Sequence, residues 1–194
     1  MAKTSTAGKN RRTDILDAAR FLGLRHGMKA VSVEAIAREA RVAKPTLYGY
    51  FKNKDAVFAG VMEALIAQMQ QAFAAALAGQ GGLSDRIARA LTAKHAASMR
   101  LLEGSPHAHE LYSEHDRIAG PQFQALEALV EAALVGELGQ AGVANAQALA
   151  ELLMAATHGV ALKAKTLEQL SWGIGLLTDR LLGGACGEHG EHGA

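Results

Sequence analysis

From Ile15 to Leu181 apolar side chains return at every third or fourth position, and nowhere do they alternate with polar ones. That spacing gathers them on one face of a helix and would scatter them over both faces of a strand. The chain is thereby confined to an all-α fold. Three prolines in 194 residues leave room for long helices, and the abundant alanine and leucine lose little entropy in them. At 49% hydrophobic residues, the chain has enough apolar surface to bury a core.

Breakers and caps divide the stripes. Ile15, Ala18, Ala19 and Leu22 form the first, which stops at Gly27. Ser32 supplies an N-cap for a short helix with Val33, Ile36 and Ala37. Arg41-Val42-Ala43 interrupts, and a third short helix runs from Lys44 to Phe51 with Pro45 in its tolerant first turn. Asn53 caps a longer helix bearing Phe58, Val61, Leu65, Met69, Phe73 and Leu77; Ser84 caps one bearing Ile87, Leu91, His95, Ser98 and Leu102. The polar stretch from His107 to Asp116 reads as one or two helical turns, and Gly120-Pro121 opens a helix with Phe123, Leu126, Val130, Leu134 and Leu138. Asn145 caps a helix with Leu149, Leu153, Ala156 and Val160, and Thr166-Leu-Glu-Gln169, spaced as a capping box, opens the last. About nine helices are expected. They divide into a three-helix domain over residues 11–56 and a larger helical domain over 57–183, between a flexible arm (1–10) and a disordered tail (184–194).

Charge divides along the same line. Residues 1–60 carry twelve basic and five acidic side chains, a net +7, and the remainder carries eight and fourteen, a net −6. The first segment favours a polyanion and the rest repels one. The single cysteine, Cys186, cannot close an intrachain disulfide and fits a reducing compartment. The polar, basic opening lacks the apolar core of a signal peptide. No uncharged apolar run reaches the ~18 residues of a membrane span. These features predict a cytoplasmic protein without a membrane partner.

Two short helices joined by a tight turn, the second free of Asp and Glu between Lys44 and Phe51, form a helix-turn-helix pattern. Ile36, Ala37, Val42 and Leu47 are small or branched enough to let the helices cross closely, and Lys52 and Lys54 flank the second helix. The run Arg11-Arg-Thr-Asp-Ile-Leu-Asp-Ala-Ala19, then Gly27, then Ser32 to Asp55 resembles the N-terminal domain of the TetR family of transcriptional repressors. The resemblance is strongest at Ile36-Ala37, Thr46-Leu47-Tyr48, Tyr50-Phe51 and Lys54-Asp55. It covers residues 11 to 60, under a third of the chain.

The resemblance implies a homodimer with one recognition helix per subunit in the major groove of a palindromic, double-stranded operator. It implies no catalysis and no cofactor, and release by a small-molecule effector held among the middle helices. Carried to this chain, Lys44 and Thr46 face base edges, with Pro45 between them. Tyr48 offers its hydroxyl to a phosphate, Ser32 and Lys54 anchor phosphates on either side, and Arg11 and Arg12 reach the backbone or an adjacent groove. Leu47, Tyr50 and Phe51 are expected in the core. Four residues depart from the family pattern. Arg41 stands at a usual glycine, Ala43 at a usual serine cap, Pro45 at a common glycine, and Gly49 leaves no side chain to contact DNA.

Outside this domain the residues admit more than one reading. His95, Met99, Leu102, Phe123, Met154, His158 and Trp172 are candidate effector-pocket walls, and equally plain core. Leu167, Leu170, Ile174, Leu177 and Leu181 form a seam expected at a dimer interface, as a four-helix bundle would use. The groups His107, His109, His115, Glu110, Glu114 and Cys186, His189, His192 have ligand spacing that a metal-sensing regulator would use, although a solvated turn and an unordered tail are the simpler readings. A helical enzyme is the remaining alternative, but no nucleophile elbow, HExxH or strand-linked glycine-rich loop is present in the sequence.

Overall fold

The computed structural model describes residues 4–102 and 105–185, and for residues 4–10, 102, 108–118 and 184–185 it describes the backbone only. They form eight helices: α1 (Thr4–His26), α2 (Val33–Glu39), α3 (Lys44–Tyr50), α4 (Lys54–Leu77), α5 (Leu83–Leu102), α6 (Ala108–Gln140), α7 (Ala146–Lys163) and α8 (Leu167–Ala185). Among the described residues there is no strand, and no helix is long and apolar enough to cross a membrane.

Two boundaries differ from expectation. Residues 4–10, assigned to the arm, continue α1 backwards, because no proline interrupts the register set by Ile15 and Leu22. The helical turns expected after His107 and the helix expected at Gly120-Pro121 join into α6. Ala119 leaves helical geometry there, at φ −141° and ψ 24°. Pro121, which lacks an N–H, accounts for the kink. Counting the two arms of α6 separately recovers the expected number.

The chain divides into two compact units, one of residues up to 66 with 102–123, the other of residues 67–101 with 124 onward. The two units part after residue 66 rather than at the boundary expected after residue 56, and α4 runs unbroken through both positions. In the first unit Ile15, Ala19, Ile36, Leu47 and Val57 are fully buried, with Val42, Leu22 and Val33 packed around them. Gly60 permits this closeness: a Cβ there would lie 2.9 Å from Leu16 and 3.1 Å from Phe51. The Ser105 hydroxyl donates to the Leu24 carbonyl at 2.7 Å and accepts from the His107 amide at 3.1 Å, tying the second segment of this unit to the end of α1.

In the second unit Phe73, Ile87, Leu91, Val130, Leu134, Leu138, Leu153, Leu170 and Ile174 are buried. Arg86 pairs with Glu137 at 2.7 Å. The predicted box at α8 forms with a shift: the Gln169 backbone amide donates to the Thr166 hydroxyl at 3.1 Å, while the Gln169 side-chain Oε1 accepts from the amide of Lys165 at 2.9 Å. Two expected caps do not form. Ser84 lies inside α5 and donates to Asp179 at 2.7 Å, and Asn145 takes a left-handed conformation without a side-chain cap bond.

Candidate nucleic-acid interface

The tight turn between α2 and α3 is built by backbone bonds. The Arg41 amide donates to the Arg38 carbonyl at 3.2 Å and the Val42 amide to the Ala37 carbonyl at 2.9 Å, the paired bonds of a Schellman motif. Its left-handed position is Arg41, at φ 54°. The departure from glycine is therefore absorbed as local strain rather than by a different turn. Val42, next along, packs on the small core.

At the entry to α2 the Ser32 hydroxyl accepts from the Ala35 amide at 3.1 Å and is exposed. At the entry to α3, Ala43 gives no side-chain cap and Pro45 occupies the first turn, both as the sequence indicated. The short helix is held by Leu47, which is fully buried, while Lys44, Pro45 and Gly49 are exposed and Thr46 is half-buried. A Cβ built at Gly49 meets nothing within 4 Å, so the outer surface is open at that point. Tyr48 is 46% and Tyr50 38% exposed. Tyr50 is thus corrected from core to surface. Leu47 faces inward, and three residues on, at the last residue of α3, Tyr50 is rotated about 60° off that direction.

Lys44 is not a lone cation. Its ammonium pairs with the Glu34 carboxylate from the first turn of α2, and lies 5.9 Å from the centre of the Tyr48 ring. The hydrogen bond from Lys44 holds the Glu34 carboxyl below its ordinary range, and the same bond raises the Lys44 ammonium. Lys54, expected on a phosphate, is half-buried, and its ammonium donates to the carbonyls of Met28 and Lys29, each at 3.1 Å. Two of its three N–H groups are spent inside the fold, which leaves one for an outside partner. Arg12 lies 5.3 Å over the Phe51 ring and 3.7 Å from Glu63. Arg11 opens onto a groove of about 830 Å³ shared with Asp14, Asp17, Arg20, Glu39 and Thr46. Mixed charge makes that groove a poor phosphate cradle.

The remaining candidates lie elsewhere. His95 is buried with Nε2 unpartnered, and burial foremost, then the Lys94 charge and His158, pushes its pKa down to about 3. The His158 ring, exposed, sits 6.4 Å from it. Lys94, also buried, pairs with Glu127 at 2.6 Å. Met99, Met154 and Phe123 are half-buried. Trp172 is 71% exposed, so it walls no enclosed cavity and is corrected. The Leu102 side chain lies outside the described residues. Leu170 and Ile174 are fully buried within their own unit and cannot meet a partner; they are corrected from interface to core. Leu167, Leu177 and Leu181 are half-buried. Two residues along α8 is a turn of about 200°, and there Trp172 and Leu176 are exposed, as are Leu152 and Leu162 on α7. Among the described residues no three His, Cys, Asp or Glu side chains gather as metal ligands. The side chains of His109, Glu110, Glu114 and His115, and all of Cys186, His189 and His192, lie outside the described residues.

An acid-free, exposed α3 braced by α1, α2 and the start of α4 defines a helix-turn-helix domain of the DNA-binding class. Residues 15–61 match the family model described as bacterial regulatory proteins, tetR family. Over these residues the chain is similar to the DNA-binding domain of the tetR family. A curated relative, the uncharacterized HTH-type transcriptional regulator YhgD of Bacillus subtilis strain 168, is 32% identical over 84 residues, spanning 43% of this chain and 44% of that protein. The fold is that of a solved protein of Mesorhizobium loti MAFF303099 assigned to the TetR family, at TM-score 0.72 and 17% identity, covering 92% of this chain and 98% of that one. SmeT, the repressor of the Stenotrophomonas maltophilia multidrug efflux pump SmeDEF, shares it at TM-score 0.63 and 22% identity, with 92% and 91% covered.

Sequence reasoning missed two residues here. Glu34 was counted only in the net charge, although its place in the first turn of α2 puts it on the same end of the domain as Ser32. An aromatic beside Phe51, three residues from Leu47, fits the core by spacing, and nothing in the sequence separates Tyr50 from it; its exposure shows only in the structure.

Proposed function

We propose that the chain is a ligand-responsive transcriptional regulator that binds a palindromic operator as a homodimer and represses until a small molecule releases it. The observation that carries this reading is α3, whose outer surface offers Lys44, Thr46 and Tyr48 without an acidic residue of its own. Helix N-terminal residues enter the major groove deepest, which gives Lys44 and Thr46 the base edges and leaves Ser32, Tyr48 and one N–H of Lys54 for phosphates. Arg11 and Arg12 extend the basic edge. Self-association through the exposed apolar residues of α7 and α8, Leu152, Leu162, Trp172 and Leu176, gives two reading helices and hides surface that a monomer would leave wet. His95 and its surroundings are the proposed effector contact, since a buried imidazole nitrogen without a partner costs free energy until a ligand supplies one. A cytoplasmic location follows from the role.

Binding to duplexes selected from a random-sequence pool, followed by fluorescence anisotropy across a salt series, tests the proposal. A repressor of this kind enriches an inverted repeat and loses affinity steeply as salt rises. Enrichment of no common sequence would refute it.

A further inference from the structure

The recognition helix carries no acid, yet its first residue is met by one from the neighbouring helix. Glu34 and Lys44 are ten positions apart, on α2 and α3, and their side chains are 60% and 49% exposed. An ion pair so open to water contributes little to stability. Its cost lies in binding: a carboxylate on the surface that must approach DNA repels phosphates, and it removes Lys44 from the cations free to neutralise them. The ammonium is also fixed in direction, with Glu34 on one side and the Tyr48 ring on another.

We infer that Glu34 is a specificity-determining residue of the interface: paired across the turn, it keeps the Lys44 ammonium off the phosphates and aims it at a base edge. Lys44 then gains a DNA partner only where a guanine presents O6 and N7 beside it, because there the ammonium donates to both guanine and carboxylate with its three N–H groups. Elsewhere the carboxylate still holds Lys44 and faces phosphate or base oxygens that gain no cation, and the complex is weaker. This deepens the operator-binding reading and rests on it. Glu34 acts through Lys44, so it is a positioning residue as well as a repulsive one, and specificity comes from lowering wrong-site affinity.

The test uses the full-length chain and two duplexes, one enriched by the wild-type protein from a random pool and one of the same composition scrambled. Glu34→Gln keeps the shape and removes the charge. Each phosphate newly neutralised steepens the salt slope by about 0.9, equivalent to roughly tenfold in affinity at 0.1 M salt relative to 1 M. The variant is expected to bind the scrambled duplex roughly tenfold more tightly, with the steeper slope, while the enriched duplex gains much less. In the Lys44→Gln background, Glu34→Gln is expected to leave the slope near that of Lys44→Gln alone. Equal weakening on both duplexes with an unchanged slope would reduce Glu34 to a structural support and overturn the inference. So would unchanged binding to both. Discrimination by the wild type together with either of those results sinks this inference alone; no discrimination by the wild type sinks the operator-binding reading and this inference with it. Unchanged thermal unfolding of Glu34→Gln establishes that the comparison is between folded proteins.

Discussion

The α2–α3 region and the second unit handle polar groups in opposite ways. Around α3 the charged groups are exposed and paired in the open, Lys44 with Glu34 and Arg12 with Glu63, over a core that includes Ile15, Ile36, Leu47 and Phe58. In the second unit Lys94 and His95 are buried, one with a carboxylate and the other with no partner on Nε2. An interface for a polyanion has to keep its charges in water until the partner arrives, and their desolvation is met by phosphates and bases. A buried polar group that lacks a protein partner stores that cost in the folded chain, where a ligand or a proton is the means of relieving it.

If the small core is what holds the open charges in place, Leu47→Ala should have the largest effect. Removing a fully buried leucine costs about 2–5 kcal/mol, so thermal unfolding should fall sharply and DNA binding with it; a small shift would show that α3 is held by something other than its core contact. Lys54→Met comes next. It strips two charge-assisted bonds from the carbonyls of Met28 and Lys29, at a cost of about 2 kcal/mol, and should lower both stability and affinity for every sequence. Loss of affinity alone would mean that Lys54 serves DNA and not the fold.

The second unit is tested through pH. His95 titrates near its ordinary value in the unfolded chain and at about 3 when folded. Between those values the unfolded state binds the extra proton, so stability is full above pH 6.5 and is lost as pH falls through the window toward 3. The loss approaches about 1.4 kcal/mol per pH unit. His95→Leu should flatten that part of the profile in chemical denaturation, and an unaltered slope would remove burial of a neutral imidazole from the account. Ala43→Ser is the smallest change: restoring a side-chain cap to α3 should add up to about 1 kcal/mol, read as a higher unfolding midpoint with sequence preference unchanged.

The small domain was legible because its chemistry leaves few choices. The turn residues, the acid-free helix and Leu47 each answer one physical demand, and a cap was correctly expected to be missing at Ala43. The buried stripe of α4, from Phe58 to Leu77, followed from spacing alone. Periodicity gives a face, however, and not what covers it. Leu170 and Ile174 share a stripe with Leu177 and Leu181, and nothing in the spacing separates core from partner contact. Residue type suggests Trp172 for a pocket wall, whereas its position two residues beyond Leu170 puts it on the opposite side of α8. The pairings of Lys44 and Lys54 join residues 10 and about 25 positions apart, and only the three-dimensional path of α1 to α4 brings them together.

The central claim is that α3 enters the major groove twice, once from each subunit. Protection of guanine N7 from dimethyl sulfate on an enriched duplex tests it most directly, because that atom is open only in the major groove. Two symmetric protected clusters about 34 Å apart, or a multiple of one helical turn, are predicted, each lost in Lys44→Ala. Protection of a single cluster, or a bound complex whose guanines all remain reactive, would contradict it.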